Sequence, residues 1–130
     1  MIKENMEEFK SGFARHIGGL SIEKIDDSNY QFKADVKEIN LNTGMVAHGG
    51  YLCSLADTGM GNAAHKVAGD KRCVTISLEV KFISPAQLND NLVGNVSVKK
   101  KTNTLVFISC EILNKKSIVA TASGVWKILK

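Results

Sequence analysis

Proline, cysteine and aromatic residues are all scarce in this chain. Its one proline, Pro85, stands in Ser84-Pro85, a break between apolar stretches where a missing ladder donor does no harm. The cysteines, Cys53, Cys73 and Cys110, are odd in number, widely spaced and without a C-x-x-C pair. That excludes a disulfide framework and reads as reduced thiols in a reducing cytosol. His16, His48 and His65 are too scattered to complete a zinc set with them, so no metal and no cofactor are expected. Aromatics make up 6% of the residues. With no RNP, helix-turn-helix or zinc-finger pattern, nucleic acid is not the expected partner. No apolar run approaches the roughly 18 residues of a membrane span. Residues 1–17 carry Lys3, Glu4, Glu7, Glu8, Lys10 and Arg15, which leaves no apolar region for a secretory signal. A cytoplasmic location without membrane attachment is the expectation.

What is present is ordinary for a globular protein. The 130 residues, 44% apolar and 23% charged, suit one domain over 1–130 that builds its core without metal or disulfide. The net charge of +4 suits an anionic partner, and small phosphorylated ligands are compatible with it.

Periodicity supplies the elements. Ile2, Met6, Phe9, Phe13 and Ile17 are spaced as the stripe of an amphipathic helix over 2–17, ended by Gly18-Gly19. Leu20, Ile22 and Ile25 suggest a first strand. After the turn residues Asp26-Asp27-Ser28-Asn29, the alternating Tyr30, Phe32, Ala34 and Val36 predict a second. A loop over 40–50 leads into a long helix stopped by Gly69-Asp70, with Leu52, Ala56, Met60, Ala63 and Val67 as its core stripe. Val74, Ile76, Leu78, Val80 and Phe82 then alternate strictly with polar residues. Three more strands follow, Leu92–Val98, Leu105–Leu113 and Ile118–Leu129. The fold class is α+β: about six antiparallel strands curled around one long helix, with a short N-terminal helix. Gly59 and Gly61 each cost the long helix about 1 kcal/mol relative to Ala. Close approach of another backbone or a ligand would explain them.

The chemistry gathers between Asn42 and Asp57. His48-Gly49-Gly50 opens the long helix, where the first backbone N–H groups lack internal partners and the dipole is positive. An N–H of Gly49 or Gly50 is placed to hold the oxygen of a polarised carbonyl. Gly50, Ser54, Asp57 and Gly61 share one stripe, so a carboxylate stands among small residues with room for a ligand. A carbonyl-polarising helix start and a water-activating carboxylate make a hydrolytic pairing. The plainer reading, a Gly-Gly turn and a solvated Asp, uses the same residues.

Asn42-x-x-x-x-x-His48-Gly49-Gly50, then Leu55-Ala56-Asp57-Thr58, Val74-Thr75-Ile76-Ser77 and Phe82-Ile83-Ser84-Pro85-Ala86 resemble the signature of the PaaI-like hotdog thioesterases. The resemblance runs from about the first strand to the end of the chain. It implies the hotdog fold and hydrolysis of acyl-coenzyme A to free acid and coenzyme A. It also implies a homo-oligomer, a dimer or a dimer of dimers (a homotetramer), with sites at the dimer interface built from both chains. By the resemblance, Asp57 is the general base or a nucleophile, and the Gly49 N–H polarises the thioester carbonyl. Asn42 holds that carbonyl or the water, His48 supports the loop, and Thr75 places the water. Gly50, Ser54, Phe82, Ser84 and Pro85 would line the substrate, with Asn103 at the position toward coenzyme A. Lys99 and Lys100 nearby read either as contacts to its phosphates or as a solvated strand end.

The chain departs from that pattern in two places. Leu88-Asn89-Asp90-Asn91 replaces the usual Gly-Asp, and Thr102-Asn103 replaces the usual Gly-Arg/Lys before the next strand. Alternation also sets Thr75 on the face opposite Val74 and Ile76. A bulge or the dimer interface must bring it to Asp57. Two other readings use the same fold: a non-catalytic acyl-CoA-binding module, which has no need of Asp57, and a hydratase or dehydratase, which would use an Asp/His or Glu/His pair in a different motif. Cys53 and Trp126 read as packing residues.

Overall fold

The computed structural model describes residues 6–8 and 12–130. In chain order its elements are β1 (Met6–Glu8), α1 (Gly12–His16), β2 (Ser21–Lys24), β3 (Asn29–Asp35), a 3-10 turn (Glu38–Asn40), α2 (Gly49–Val67), β4 (Cys73–Phe82), β5 (Asn91–Lys101), β6 (Leu105–Asn114) and β7 (Ser117–Ile128). The strands form one antiparallel sheet in the order β1-β2-β3-β5-β6-β7-β4. Helix α2 packs across strands β3 to β7. This is the sheet-around-a-helix arrangement expected from the alternation of strands and helix. Six of the strands are those anticipated, and the three-residue β1 is additional. Among the described residues no helix is long and apolar enough to cross a membrane.

Helix α2 exists because its ends are capped and one broad face is apolar. His48 sits at the N-cap in extended backbone (φ −65°, ψ 137°), and its Nδ1 accepts the Gly50 N–H at 2.7 Å. Gly69, at φ +70°, turns the chain out after the last turn, the left-handed position that glycine fills at least cost. Leu52, Leu55, Ala56, Met60, Ala63 and Ala64 are buried. Val67, expected to close that stripe, is half-buried. The sheet answers with alternate residues, including Phe32, Leu92, Val96, Ile108, Ile112 and Trp126.

Phe32 explains one of the helix glycines. Its ring, fully buried, lies between α2 and β5. A Cβ on Gly59 would stand 2.4 Å from it, and a Cβ on Gly94 2.0 Å. Burying such a ring contributes about 1.5–3 kcal/mol, which offsets the helix propensity lost at Gly59. Elsewhere in the core, burial pushes the Cys110 thiol up to about 12, with the Glu111 charge adding to it. Cys110 is therefore an inert filler. All three cysteines are free.

The structure corrects three expectations. The helix over 2–17 is not formed as one element. Met6–Glu8 pairs with β2 as a strand, and the helix is confined to Gly12–His16. Backbone groups on the β2 edge take partners there, a long-range demand that side-chain periodicity does not register. The remainder of that helix, residues 1–5 and 9–11, lies outside the described residues. Ile25 falls beyond β2 and is exposed. The row Val74, Ile76, Leu78, Val80 and Phe82 does not share one buried face. Val74, Ile76 and Phe82 are exposed, and Leu78 and Val80 are half-buried. For Val74 and Ile76 the cause is a β-bulge between Thr75 and Ser77, since one extra residue inverts which side chains face the helix. Phe82 lies on the helix side with Leu78 and Val80 and is exposed at the end of an edge strand.

Candidate active site

The bulge brings Thr75 to Asp57. Opposite β7, Thr75 pairs with Trp126 and Ser77 with Val125, leaving Ile76 as the extra residue. Before the bulge Thr75 faces α2, and its Oγ1 donates to Asp57 Oδ1 at 2.7 Å. Asp57 is half-buried on the stripe with Gly50, Ser54 and Gly61. A hydroxyl on one carboxylate oxygen fixes the rotamer and leaves the other oxygen for a water.

The start of α2 resolves which N–H is available. Tyr51 and Leu52 donate to the His48 carbonyl, and Gly50 donates to His48 Nδ1. Among the described residues nothing accepts the Gly49 N–H. His48 thus organises the turn by occupying the Gly50 N–H with its own ring, and Gly49 is left as the free donor. The ring of Phe82 stands 3.3 Å from where a Gly49 Cβ would be. Phe82 and Pro85 line a cleft of about 300 Å³ with Val46, Gly49, Leu52 and Ile83.

Other expected site residues have structural duties as well. Asn42 Oδ1 accepts from Gly44 N–H at 2.8 Å and Val46 N–H at 3.3 Å, closing the loop that delivers His48. Ser54 Oγ donates to the Gly50 carbonyl at 2.8 Å, and Ser84 Oγ to the Ile118 carbonyl at 2.6 Å. Both hydroxyls are therefore committed as donors. Lys99 and Lys100 line a basic groove with Lys24, Lys66, Lys101 and Tyr30. Asn103 is not in that groove. It lies in a separate pocket beside Lys71, Lys127 and Leu129. Among the described residues no group of three His, Cys, Asp or Glu gathers as a metal set.

Asn40 was not anticipated. Among the described residues it is the buried polar one, 3% exposed. Its Nδ2 donates to the Ile17 carbonyl at 2.7 Å, and its Oδ1 accepts from Lys37 N–H at 2.8 Å. Its carbonyl accepts from His48 N–H at 2.8 Å. One amide thus anchors the loop ahead of the helix start. Nothing in its local sequence distinguishes it from Asn42.

Gly49 and Asp57 are eight residues apart on α2. At 1.5 Å per residue that is about 12 Å, whereas an N–H that holds a carbonyl oxygen and a base that holds the water attacking its carbon must stand close together around that one group. Comparison with known proteins identifies the family. Residues 44–121, which hold the helix start, Asp57 and the bulged strand, match the family model of the thioesterase superfamily. The chain belongs to the thioesterase superfamily. A proposed esterase from Pseudomonas aeruginosa is 34% identical over 94 residues, 72% of this chain and 70% of that protein. Human acyl-coenzyme A thioesterase 13 is 25% identical over 112 residues, 86% of this chain and 80% of the relative. In three dimensions, the Escherichia coli PaaI protein from the phenylacetic acid degradation operon superposes with a TM-score of 0.82 at 24% identity. That match covers 90% of this chain and 83% of PaaI, so the superfamily member has the PaaI-like hotdog fold.

Proposed function

We propose that this superfamily member hydrolyses acyl-coenzyme A, with each site assembled from two chains. The observation that carries the reading is the pair of features on α2. A free Gly49 N–H at its start and a Thr75-bound Asp57 carboxylate stand about 12 Å apart, too far to serve one thioester and its attacking water within a single chain. In the proposed site one chain supplies Asn42, His48 and Gly49, and its partner supplies Asp57 and Thr75. The Gly49 N–H takes the thioester oxygen, with the positive end of the α2 dipole behind it. The partner's Asp57, held by Thr75, accepts a proton from water as that water attacks. The tetrahedral intermediate then expels the thiolate, a good leaving group that needs little acid help. The apolar cleft beside Phe82 and Pro85 is a place for the acyl group. The groove at Lys99 and Lys100 suits the phosphates of coenzyme A, a fit also suggested by the name of the human relative.

The oligomer is supported by β4. This ten-residue strand forms an edge of the sheet and exposes Val74, Ile76 and Phe82. A long apolar edge of this kind is ordinarily paired or covered. Pairing β4 with its copy about a two-fold axis sets the two α2 helices side by side and antiparallel. The start of one then faces the middle of the other.

The experiment is thiol release from a panel of aromatic, short, medium and long acyl-CoAs, with Asp57→Asn alongside. Release by the parent and a loss of about 100-fold or more in the variant are expected. An Asp57→Asn protein as active as the parent sinks the reading. Ligand-induced stabilisation with no release favours a binding module instead.

A further inference from the structure

We propose that Gly124 is the positioning residue that aims Thr75 at Asp57, by leaving room for the bulged β4 backbone and for the Trp126 indole. The proposal rests on the Asp57–Thr75 reading of the site.

Gly124 lies in the interior of β7, opposite Leu78, the second residue after the bulge. A regular strand gains nothing from glycine there, since it adds backbone entropy and packs no side chain. The space that a side chain would need is already taken from two directions. A Cβ on Gly124 would stand 2.6 Å from the Ser77 carbonyl oxygen and 2.7 Å from the far edge of the Trp126 ring. Ser77 is the first residue after the extra Ile76, so its carbonyl belongs to the stretch of β4 that the bulge displaces. Trp126 is 1% exposed and lies opposite Thr75. Its Nε1 stands 3.3 Å from where a Gly61 Cβ would be, on α2 one turn beyond Asp57.

Two glycines therefore flank one indole, and that indole spaces α2 from β7 at the level of the Asp57–Thr75 pair. Methyl addition at 124 must push either the β4 backbone or the indole. The first moves Thr75, and the second presses on the helix that carries Asp57. Interiors pack too densely to absorb such a shift locally. Either way the 2.7 Å hydrogen bond from Thr75 to Asp57 is lost. Gly124 touches neither the substrate nor the reacting atoms in this scheme, and its effect reaches the chemistry through Thr75.

The test is a double-mutant comparison in the full-length oligomer. The parent, Gly124→Ala, Thr75→Val and the combined variant are assayed on the acyl-CoA the parent cleaves best. Gly124→Ala is expected to lower kcat about 10- to 100-fold with KM within about twofold. Added to Thr75→Val it is expected to cost less than about twofold more, because no hydroxyl remains to be aimed. Additive losses, or full kcat in Gly124→Ala, overturn the proposal. Where Gly124→Ala does not fold, it is combined with Trp126→Phe and compared with Trp126→Phe alone. The smaller ring relieves the indole contact, the contact with the Ser77 carbonyl remains, and the same loss is expected through the β4 backbone. A crystal structure of the folded variant gives a readout independent of turnover. Thr75 Oγ1 beyond hydrogen-bonding distance of Asp57 supports the proposal, and a retained bond overturns it. Absence of thiol release from the parent would instead sink the thioesterase reading, and the crystal structure would still decide the role of Gly124.

Discussion

Proline is the substitution that removes the Gly49 N–H. Gly49 is the first helical residue of α2, the position where proline is best tolerated, since its missing N–H would have had no partner inside the helix. The residue before a proline must be extended, and His48 already is, at φ −65° and ψ 137°. Gly49→Pro thus deletes one candidate oxyanion donor and leaves the helix intact. Gly49→Ala, whose Cβ meets the Phe82 ring in the same way at 3.3 Å but keeps the N–H, is the control against which it is read. We expect kcat on the best acyl-CoA to fall about 100- to 1000-fold, as when a single oxyanion donor is removed elsewhere. Thermal unfolding should stay close to that of the parent. A fully active Gly49→Pro would remove this N–H from the mechanism. Sequence spacing left Gly49 and Gly50 as equal candidates. The structure separates them because His48 Nδ1 takes the Gly50 N–H, a contact that depends on a side-chain rotamer and not on spacing.

At the scale of elements, the fit of α2 to the sheet is set by missing side chains. Gly59→Ala would favour the helix by about 1 kcal/mol on propensity alone. Its Cβ would nevertheless stand 2.4 Å from the Phe32 ring, and overpacking of a tight core costs about 1–3 kcal/mol. The second effect is the larger, so Gly59→Ala is expected to lower the urea midpoint. Adding Phe32→Leu, which shortens the ring side, should recover part of the loss. A Gly59→Ala protein more stable than the parent would show that the ring moves aside freely. The glycine cost was legible in the sequence, and so were the long helix and six strands, because a 3.6-residue or two-residue period repeats over each. The bulge was not. Val74 to Phe82 alternates without a break, and only the pairing with β7 shows that Ile76 is an extra residue. Gly124 in the facing strand was the signal that went unread, since an isolated strand glycine often marks a bulge or a close approach. β1 was illegible for the opposite reason. A helical stripe ran through residues whose backbone pairs with β2.

At the scale of the whole molecule, the separation of Gly49 and Asp57 along one rigid helix makes a two-chain site testable by mixing inactive chains. Gly49→Pro damages the donor side and Asp57→Asn the base side. In a dimer that joins one chain of each kind, one interface site collects both lesions. The other site is composed wholly of parental groups. Symmetric pairing makes about half of the dimers mixed when the two chains are co-expressed in equal amounts. The preparation should therefore recover about a quarter of parental activity, though each variant alone is nearly inactive. A site contained within one chain gives no recovery, because every chain carries a lesion. Light scattering on the same preparation should give at least twice the 14.1 kDa chain mass. Breaking the β4 edge should abolish both results together. Val80→Pro removes a backbone donor from the free side of that edge strand, out of phase with Ile83, whose N–H is bonded to Val119 of β7. It is expected to yield monomers without thioesterase activity. An active monomer would show that the exposed β4 edge does not join the chains into a working site.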